Sequence, residues 1–285
     1  MSLTTRPLSP ALGVEILGLD VSQPLDGKVR DEILAEFYQH VALLFRGQNM
    51  TVEQQNRFTT TFGDIGKRTV GPRLRKSADD IYTTPVMVVS NIKEDGKPQA
   101  GASANGDREM GFHQDTAFHE IPDHVTILYG IEVSTQGGHT MVTNQCAAYD
   151  NVPADLKAKL DGCQVLQVYD YQRHTVDADI DLSGARYYVQ PIFITHPVTG
   201  RRALYVNRMM SVRIEGMERA ESDAILGELF DITEDPSVRY EHIWEVGDLL
   251  MWDNFCSIHA RTFYPDTERR LLRRTTVAGK DRLHA

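Results

Sequence analysis

Two residues set one apart from each other, His113 and Asp115, are the best candidates in this chain for holding a metal ion. Imidazole and carboxylate both ligate divalent transition metals, and alternate residues of an extended strand face one side. The pair could therefore take adjacent corners of one coordination sphere. It is the only His-x-Asp or His-x-Glu triplet here, although ten histidines and forty acids in 285 residues give about one by chance. A third ligand must come from elsewhere. The run Asp248-Leu249-Leu250-Met251-Trp252 reads as a core strand that delivers His259 just beyond its exit. Two histidines and one carboxylate leave three octahedral positions open, which suits iron(II) that must accept a bidentate oxoacid and then O2. A closed structural zinc site would use four protein ligands and favour cysteine. Catalytic zinc does use three, so a zinc hydrolase stays open at this point, as does a non-catalytic jelly-roll binding protein.

Downstream lie Arg269, Arg270, Arg273 and Arg274. On a strand, Arg270, Leu272 and Arg274 share one side, so two guanidiniums would point into the cavity that holds His259 while Arg269 and Arg273 face water. Arginine is a natural clamp for carboxylates because its fork donates two parallel hydrogen bonds and keeps its charge. Two inward arginines imply two anionic ligands. Trp252 is a candidate pocket residue with a core role equally open, Asn91 is a second pocket candidate, and Cys256 reads as packing.

Several blocks together resemble the TauD/TfdA family of Fe(II)/2-oxoglutarate-dependent dioxygenases. They are Leu44-Phe45-Arg46-Gly47-Gln48, Phe62-Gly63, Ser90-Asn91-Ile92, Phe112-His113-Gln114-Asp115, Gly137-Gly138-His139-Thr140, Ala147-Ala148-Tyr149 and Gly247-Asp248-Leu249-Leu250-Met251-Trp252-Asp253-Asn254 with His259. They occur in family order with similar spacing. The resemblance implies a double-stranded β-helix (jelly roll) with helical insertions, an α+β chain that is mainly β. It also implies iron(II) on His113, Asp115 and His259, and 2-oxoglutarate and O2 as co-substrates. Thr140 and Arg270 would hold the distal carboxylate of 2-oxoglutarate, and Arg274 an anionic group of the primary substrate. Because Asp115 supplies the carboxylate that related halogenases lack, hydroxylation is the implied outcome, with release of succinate and CO2. Two departures bear on substrate. The second histidine that grips sulfonate in taurine enzymes has no counterpart in residues 63–68, and Phe255 stands where an arginine usually follows Trp-Asp-Asn. A small carboxylate is therefore expected in preference to a sulfonate.

The elements that must position these residues are short. A helix is expected over Lys28–His40, a buried strand over Val41–Phe45, and a helix opened by a Thr51/Gln54 capping box that runs to about Gly63. From Pro85 onward strands dominate: 86–89, 125–133, 165–169, 192–195, 203–206, 249–252 and 273–277. Helical patterns interrupt them after Pro153, taken as a first helical residue, and over 218–230. Nothing resembles a repeat or a linker, so one domain over 1–285 is expected, with the Gly- and Ala-rich stretch 95–110 as a candidate lid. A formal charge of −10 gives no footprint for nucleic acid. Three cysteines without close spacing fit a reducing compartment, and neither a leader nor a bilayer-length apolar run is evident, so a cytoplasmic, non-membrane enzyme is expected. Its partner would be a small anionic molecule, and the family resemblance favours a homodimer or homotetramer.

Overall fold

The computed structural model describes residues 3–66, 86–92, 97, 109–169 and 181–285. The candidate lid at 95–110 lies almost wholly outside them. Two sheets face each other across a shared core. The larger has seven strands in the order Thr4–Pro7, Val14–Leu17, Ala42–Phe45, Leu249–Asp253, Val125–Glu132, Leu271–Val277 and Met87–Ser90. The smaller has four: Arg239–His242, Thr140–Asn144, Ser257–Arg261 and Met110–His113. This is the expected double-stranded β-helix, mainly β with five helices among the described residues.

Period-two burial explains the layers. Along Leu249–Asp253, Leu250 and Trp252 enter the core between the sheets, whereas Leu249 and Met251 face outward beneath the helices Gly27–His40 and Val52–Thr60. The flanking strands divide likewise, with Leu44 and Leu128 inward and Leu43, Phe45, Ile127 and Tyr129 outward. Both faces are covered, so the central strands read as near-continuous apolar runs. Ile33 and Phe37, one turn apart on the first helix, are fully buried against this outer face.

Several boundaries differ from those the sequence suggests. The third strand begins at Ala42, because Val41 closes the preceding helix at φ 71, a conformation that a β-branched residue rarely takes and that no strand contains. The second helix does have the Thr51/Gln54 capping box but ends at Thr60, where the chain turns through Gly63 at φ 149. Pro153 is an N-cap of Ala154–Leu160 and not a helical residue. The strand expected over 192–195 begins one residue later, as Phe193–Thr195, because Ile192 bends the chain after Arg186–Pro191; it pairs with Arg202–Leu204 in a separate two-stranded sheet. Another three-stranded sheet, Ser211–Ile214, Gln164–Tyr169 and Arg186–Pro191, joins the helices at 145–160 and Arg219–Glu234 around a core of its own. No helix among the described residues is long and apolar enough to cross a membrane.

Phe37→Ala should cost about 3–5 kcal/mol, as deletion of a fully buried aromatic side chain does, while leaving the facing sheet and its site in place. Urea unfolding followed by circular dichroism measures the loss; a change under 1 kcal/mol would show that the helix does not anchor the large sheet.

Candidate active site

The strand Ser257–Arg261 lies between Thr140–Asn144 and Met110–His113. Its alternation sends Ser257, His259 and Arg261 toward the interior, and Ile258 and Ala260 to the outer face with Phe112 and Met141. His259 is directly opposite His113 on one side and Val142 on the other, and the two imidazoles approach to 4.2 Å between ring centroids. Asp115 reaches them by a different route from the one expected. The strand ends at His113, and Asp115 sits in the turn that follows, where Thr116 adopts φ 56 and its Oγ1 accepts the Asp123 N–H at 2.7 Å. A turn, and not strand alternation, brings the carboxylate round to the histidines.

One ligating atom from each of His113, Asp115 and His259 lies within 4.8 Å of the others, and all three residues are buried. His259 Nε2 is 3.8 Å from Asp115 Oδ2, too far for a hydrogen bond and suited to two ligands of one ion. The protonation states fit too. His113 Nδ1 lies 2.9 Å from the Gly111 carbonyl, which only an N–H can satisfy, so the Nε2 lone pair is left for a metal. Burial lowers the pKa of both imidazoles, and for His259 the neighbouring His113 lowers it further, which favours the neutral form that ligation requires. Burial alone would raise the Asp115 carboxyl, but the Arg274 guanidinium, then the two histidines and Thr126, together hold it well below the usual carboxylate range.

Asp115 is fixed at both oxygens. Thr126 Oγ1 donates to Oδ2 at 2.6 Å and Arg274 Nη1 to Oδ1 at 2.9 Å. Thr126 in turn accepts from Asn254 Nδ2 at 3.0 Å, and Asn254 Oδ1 accepts from the Trp252 indole at 3.1 Å. Trp252 is therefore a fully buried support, its ring 4.6 Å from that of His259, and takes the core role left open for it. Asn91, the other pocket candidate, is buried beside Arg270. It grips the backbone of Arg270 in both directions, through its Oδ1 at 3.1 Å and its N–H at 3.3 Å, and its amide reaches the Glu268 carbonyl.

Thr140 and Arg270 are buried at the same end of the interior. Thr140 Oγ1 accepts from the Trp244 indole at 3.0 Å, and Arg270 Nε donates to the Gly138 carbonyl at 3.2 Å. The two glycines before Thr140 make this approach possible. At Gly137, φ 72, a Cβ would lie 2.1 Å from the Phe263 carbonyl oxygen, and at Gly138, φ 69, it would press on Arg270 at 3.2 Å. The expected division of the arginines holds for Arg270, Arg274 and Arg269, which is exposed and paired with Glu132. It fails for Arg273, whose guanidinium covers the Tyr129 ring at 4.7 Å and donates to the Met50 carbonyl. A long cationic side chain on the outer face covers aromatic surface before it reaches water.

A second group, His124, His196 and Asp253, has its ligating atoms equally close. It is a hydrogen-bonded cluster. His196 Nδ1 accepts the N–H groups of Val198 and Thr199, so its proton sits on Nε2 and is donated to Asp253 Oδ2 at 2.9 Å. A nitrogen carrying that proton has no lone pair for a metal.

Residues 4–276 match the profile of the "Taurine catabolism dioxygenase TauD, TfdA family". The chain belongs to the TauD/TfdA family. Its relatives include the alpha-ketoglutarate-dependent 2,4-dichlorophenoxyacetate dioxygenase of Burkholderia sp. (strain RASC), 31% identical with 98% of this chain and 96% of the relative covered. Pentalenolactone F synthase of Streptomyces avermitilis is 28% identical over 99% and 95%. Among solved structures, AAD-2 in complex with Mn(II) and N-oxalylglycine superposes with a TM-score of 0.84 at 26% identity, each chain covered in full. This TauD/TfdA chain is accordingly a 2-oxoglutarate-dependent non-haem iron dioxygenase, with Fe(II), 2-oxoglutarate and O2 as cofactor and co-substrates. Sequence reasoning missed Thr126, Asn254 and Trp244 as supports, since only the tertiary fold brings them to Asp115 and Thr140.

Thr126→Val keeps the shape of the side chain and removes the donor to Asp115 Oδ2. Loss of such a support typically costs metal affinity 10- to 100-fold, and Fe(II) or Mn(II) affinity should fall by about tenfold with little change in folding. Anaerobic metal titration checks it, and an unchanged affinity would remove Thr126 from the orienting role.

Proposed function

We propose that the protein hydroxylates an unactivated C–H of a small carboxylate substrate, with release of succinate and CO2. In this reading His113, Asp115 and His259 hold the iron, Thr140 and Arg270 hold the distal carboxylate of 2-oxoglutarate, and Arg274 faces the substrate anion. The observation that carries it is the buried His113–Asp115–His259 cluster set beside inward-facing Arg270 and Arg274. Bound iron supplies the redox chemistry that couples decarboxylation of 2-oxoglutarate to oxidation of the substrate.

The chain's own residues position and neutralise. Thr126 and Arg274 hold the Asp115 carboxylate at one orientation, and His113 is held by the Gly111 carbonyl, so the three ligands are preorganised before any ion arrives. Arg274 reaches Asp115 through Nη1 only. Its Nη2 contacts Met87 Sδ at 3.2 Å, and its buried Nε–H has no acceptor among the described residues. A buried unsatisfied donor is costly, and a substrate carboxylate arriving at this guanidinium would satisfy it with a charge-assisted bond. The 2,4-dichlorophenoxyacetate named for the Burkholderia relative is itself a carboxylate, which supports that substrate class.

An anaerobic visible spectrum tests the site. Fe(II) protein should develop a weak charge-transfer band on addition of 2-oxoglutarate, and His113→Ala should lose both the band and tight iron binding. A band of undiminished intensity in that variant would sink the ligand assignment. Arg274→Ala should raise the substrate KM at least tenfold while 2-oxoglutarate turnover without substrate falls less than threefold. Equal loss of both would place Arg274 wholly in support of Asp115.

A further inference from the structure

Thr140 begins the strand Thr140–Asn144 and lies directly opposite His242, the last residue of Arg239–His242. Two residues further on, Trp244 is buried in the core between the two sheets. Its ring is held by what surrounds it. The His242 imidazole meets it edge-on, with centroids 4.6 Å apart and planes at 84°. The indole also lies against Gly130 of Val125–Glu132, where a Cβ would come within 3.2 Å of Trp244 Cε3, so the close approach depends on glycine. The loop that carries the ring is fastened at that same residue: the Gly247 N–H donates to the Gly130 carbonyl and the Gly130 N–H to the Asp248 carbonyl, both at 2.9 Å. So placed, the indole brings its one polar atom, Nε1, to Thr140 Oγ1 at 3.0 Å.

That bond can run in only one sense. An indole nitrogen donates and never accepts, whereas a hydroxyl has one proton to give and two lone pairs to receive. Thr140 is therefore the acceptor, and its own proton must turn away from Trp244. Without such a neighbour a threonine hydroxyl rotates freely and can offer either a proton or a lone pair. Among the described residues the Thr140 proton meets no acceptor. Arg270 is tied to the same stretch of chain, since its Nε donates to the carbonyl of Gly138, two residues before Thr140. An ionised carboxylate only accepts, so a hydroxyl locked as a donor, and polarised by a second donor behind it, is the form that suits one.

We infer that Trp244 is a positioning residue for 2-oxoglutarate, its indole N–H turning the Thr140 hydroxyl so that the proton is presented to the distal carboxylate. The inference rests on the assignment of Thr140 and Arg270 to that carboxylate and adds the group that sets the direction of the Thr140 proton. Trp244 acts through Thr140 and not on the co-substrate itself. Its contribution is to affinity for an oxoacid that bears a carboxylate at both ends.

The test compares two ligands on anaerobic Fe(II) protein by titration of the charge-transfer band. One is 2-oxoglutarate; the other is 2-oxopentanoate, which keeps the chelating end and carries a methyl group in place of the distal carboxylate. Trp244→Phe keeps a ring in the core and removes the N–H. Its Kd for 2-oxoglutarate should rise about fivefold, the worth of one neutral hydrogen bond, while that for 2-oxopentanoate changes less than about twofold. In a Thr140→Val background there is no hydroxyl to orient, so adding Trp244→Phe should change the 2-oxoglutarate Kd by less than about twofold more. If Trp244→Phe does not fold, 3-benzothienylalanine incorporated at position 244 carries the comparison, because it puts sulfur in place of the N–H and keeps the bulk of the ring. An unchanged Kd for 2-oxoglutarate overturns the inference. So does an equal weakening of both ligands, which would mark Trp244 as packing, or the same loss with and without the Thr140 hydroxyl, which would show that it acts by another route. Thr140→Val alone separates the two levels of argument. Selective weakening of 2-oxoglutarate there but not in Trp244→Phe leaves the assignment of Thr140 standing and removes Trp244. Absence of selective weakening in Thr140→Val removes the assignment and the inference with it.

Discussion

Because His259 lies opposite His113 on one side and Val142 on the other, a slip of one residue in either pairing would turn the imidazole to the outer face, where Ile258, Ala260, Phe112 and Met141 pack. Strand register is most strongly specified where the two faces differ in chemistry, and this strand has an apolar outer face and a polar inner one. The same register that presents His259 also presents Arg261, and it brings Thr140 alongside. The candidate iron ligand His259 and the proposed anion-binding residue Thr140 are thus set by one set of backbone hydrogen bonds. Neither can be lost without the other.

What holds that strand in register is the turn that precedes it. Asp253 ends Leu249–Asp253 and accepts from His196 and, at 3.3 Å, from His124, while its other oxygen takes the Phe255 N–H. Burial would raise this carboxyl, yet the two histidines bring it far below its usual range, so it stays charged within the protein. Anchored there, the turn places Asn254 against Thr126, and Thr126 against Asp115. The cluster looks like a metal site by its residue types but, as a hydrogen-bonded network, it braces the candidate site at His113, Asp115 and His259. Removing one partner from such a buried charge network would leave the charge uncompensated.

The inner and outer faces of the central strands were legible in the sequence wherever alternation or an apolar run was unbroken, as at Leu249–Asp253 and Ala42–Phe45. The capping box at Thr51 and the helices at Gly27–His40 and Arg219–Glu234 were legible for local reasons, since caps and helical periodicity act over a few residues. Asp115 was identified for a reason that proved incomplete. Its face is set by the Thr116 turn, and a positive φ at threonine has no sequence signature. Arg273 was misjudged because alternation tells which face a side chain takes and not what covers that face; here Tyr129 and Met50 do. Arg261 is the instructive case. The alternation that selected Arg270 and Arg274 also selects the residue two beyond His259, but the flank of Ala260 and Thr262 gives no run of arginines to draw attention to it.

The charge arrangement of the interior then follows from what it must bind. Asp115 is a fixed negative charge beside Arg274, and burial favours the neutral form of both histidines. Arg274 is committed to Asp115 through one nitrogen, while Arg270, buried at the other end of the barrel, donates to the Gly138 carbonyl. In the proposed reading, a carboxylate arriving at Arg270 would offset the cost of burying that guanidinium, so that co-substrate binding would stabilise the fold as well as prepare the reaction. That cost would also set an order among ligands. In the proposed reading, a monocarboxylate oxoacid could still chelate the metal but would bring no carboxylate to Arg270, whereas 2-oxoglutarate would answer both ends at once. Selectivity at that end would accordingly arise from the penalty of a buried guanidinium left without a carboxylate as much as from the bonds it makes when paired.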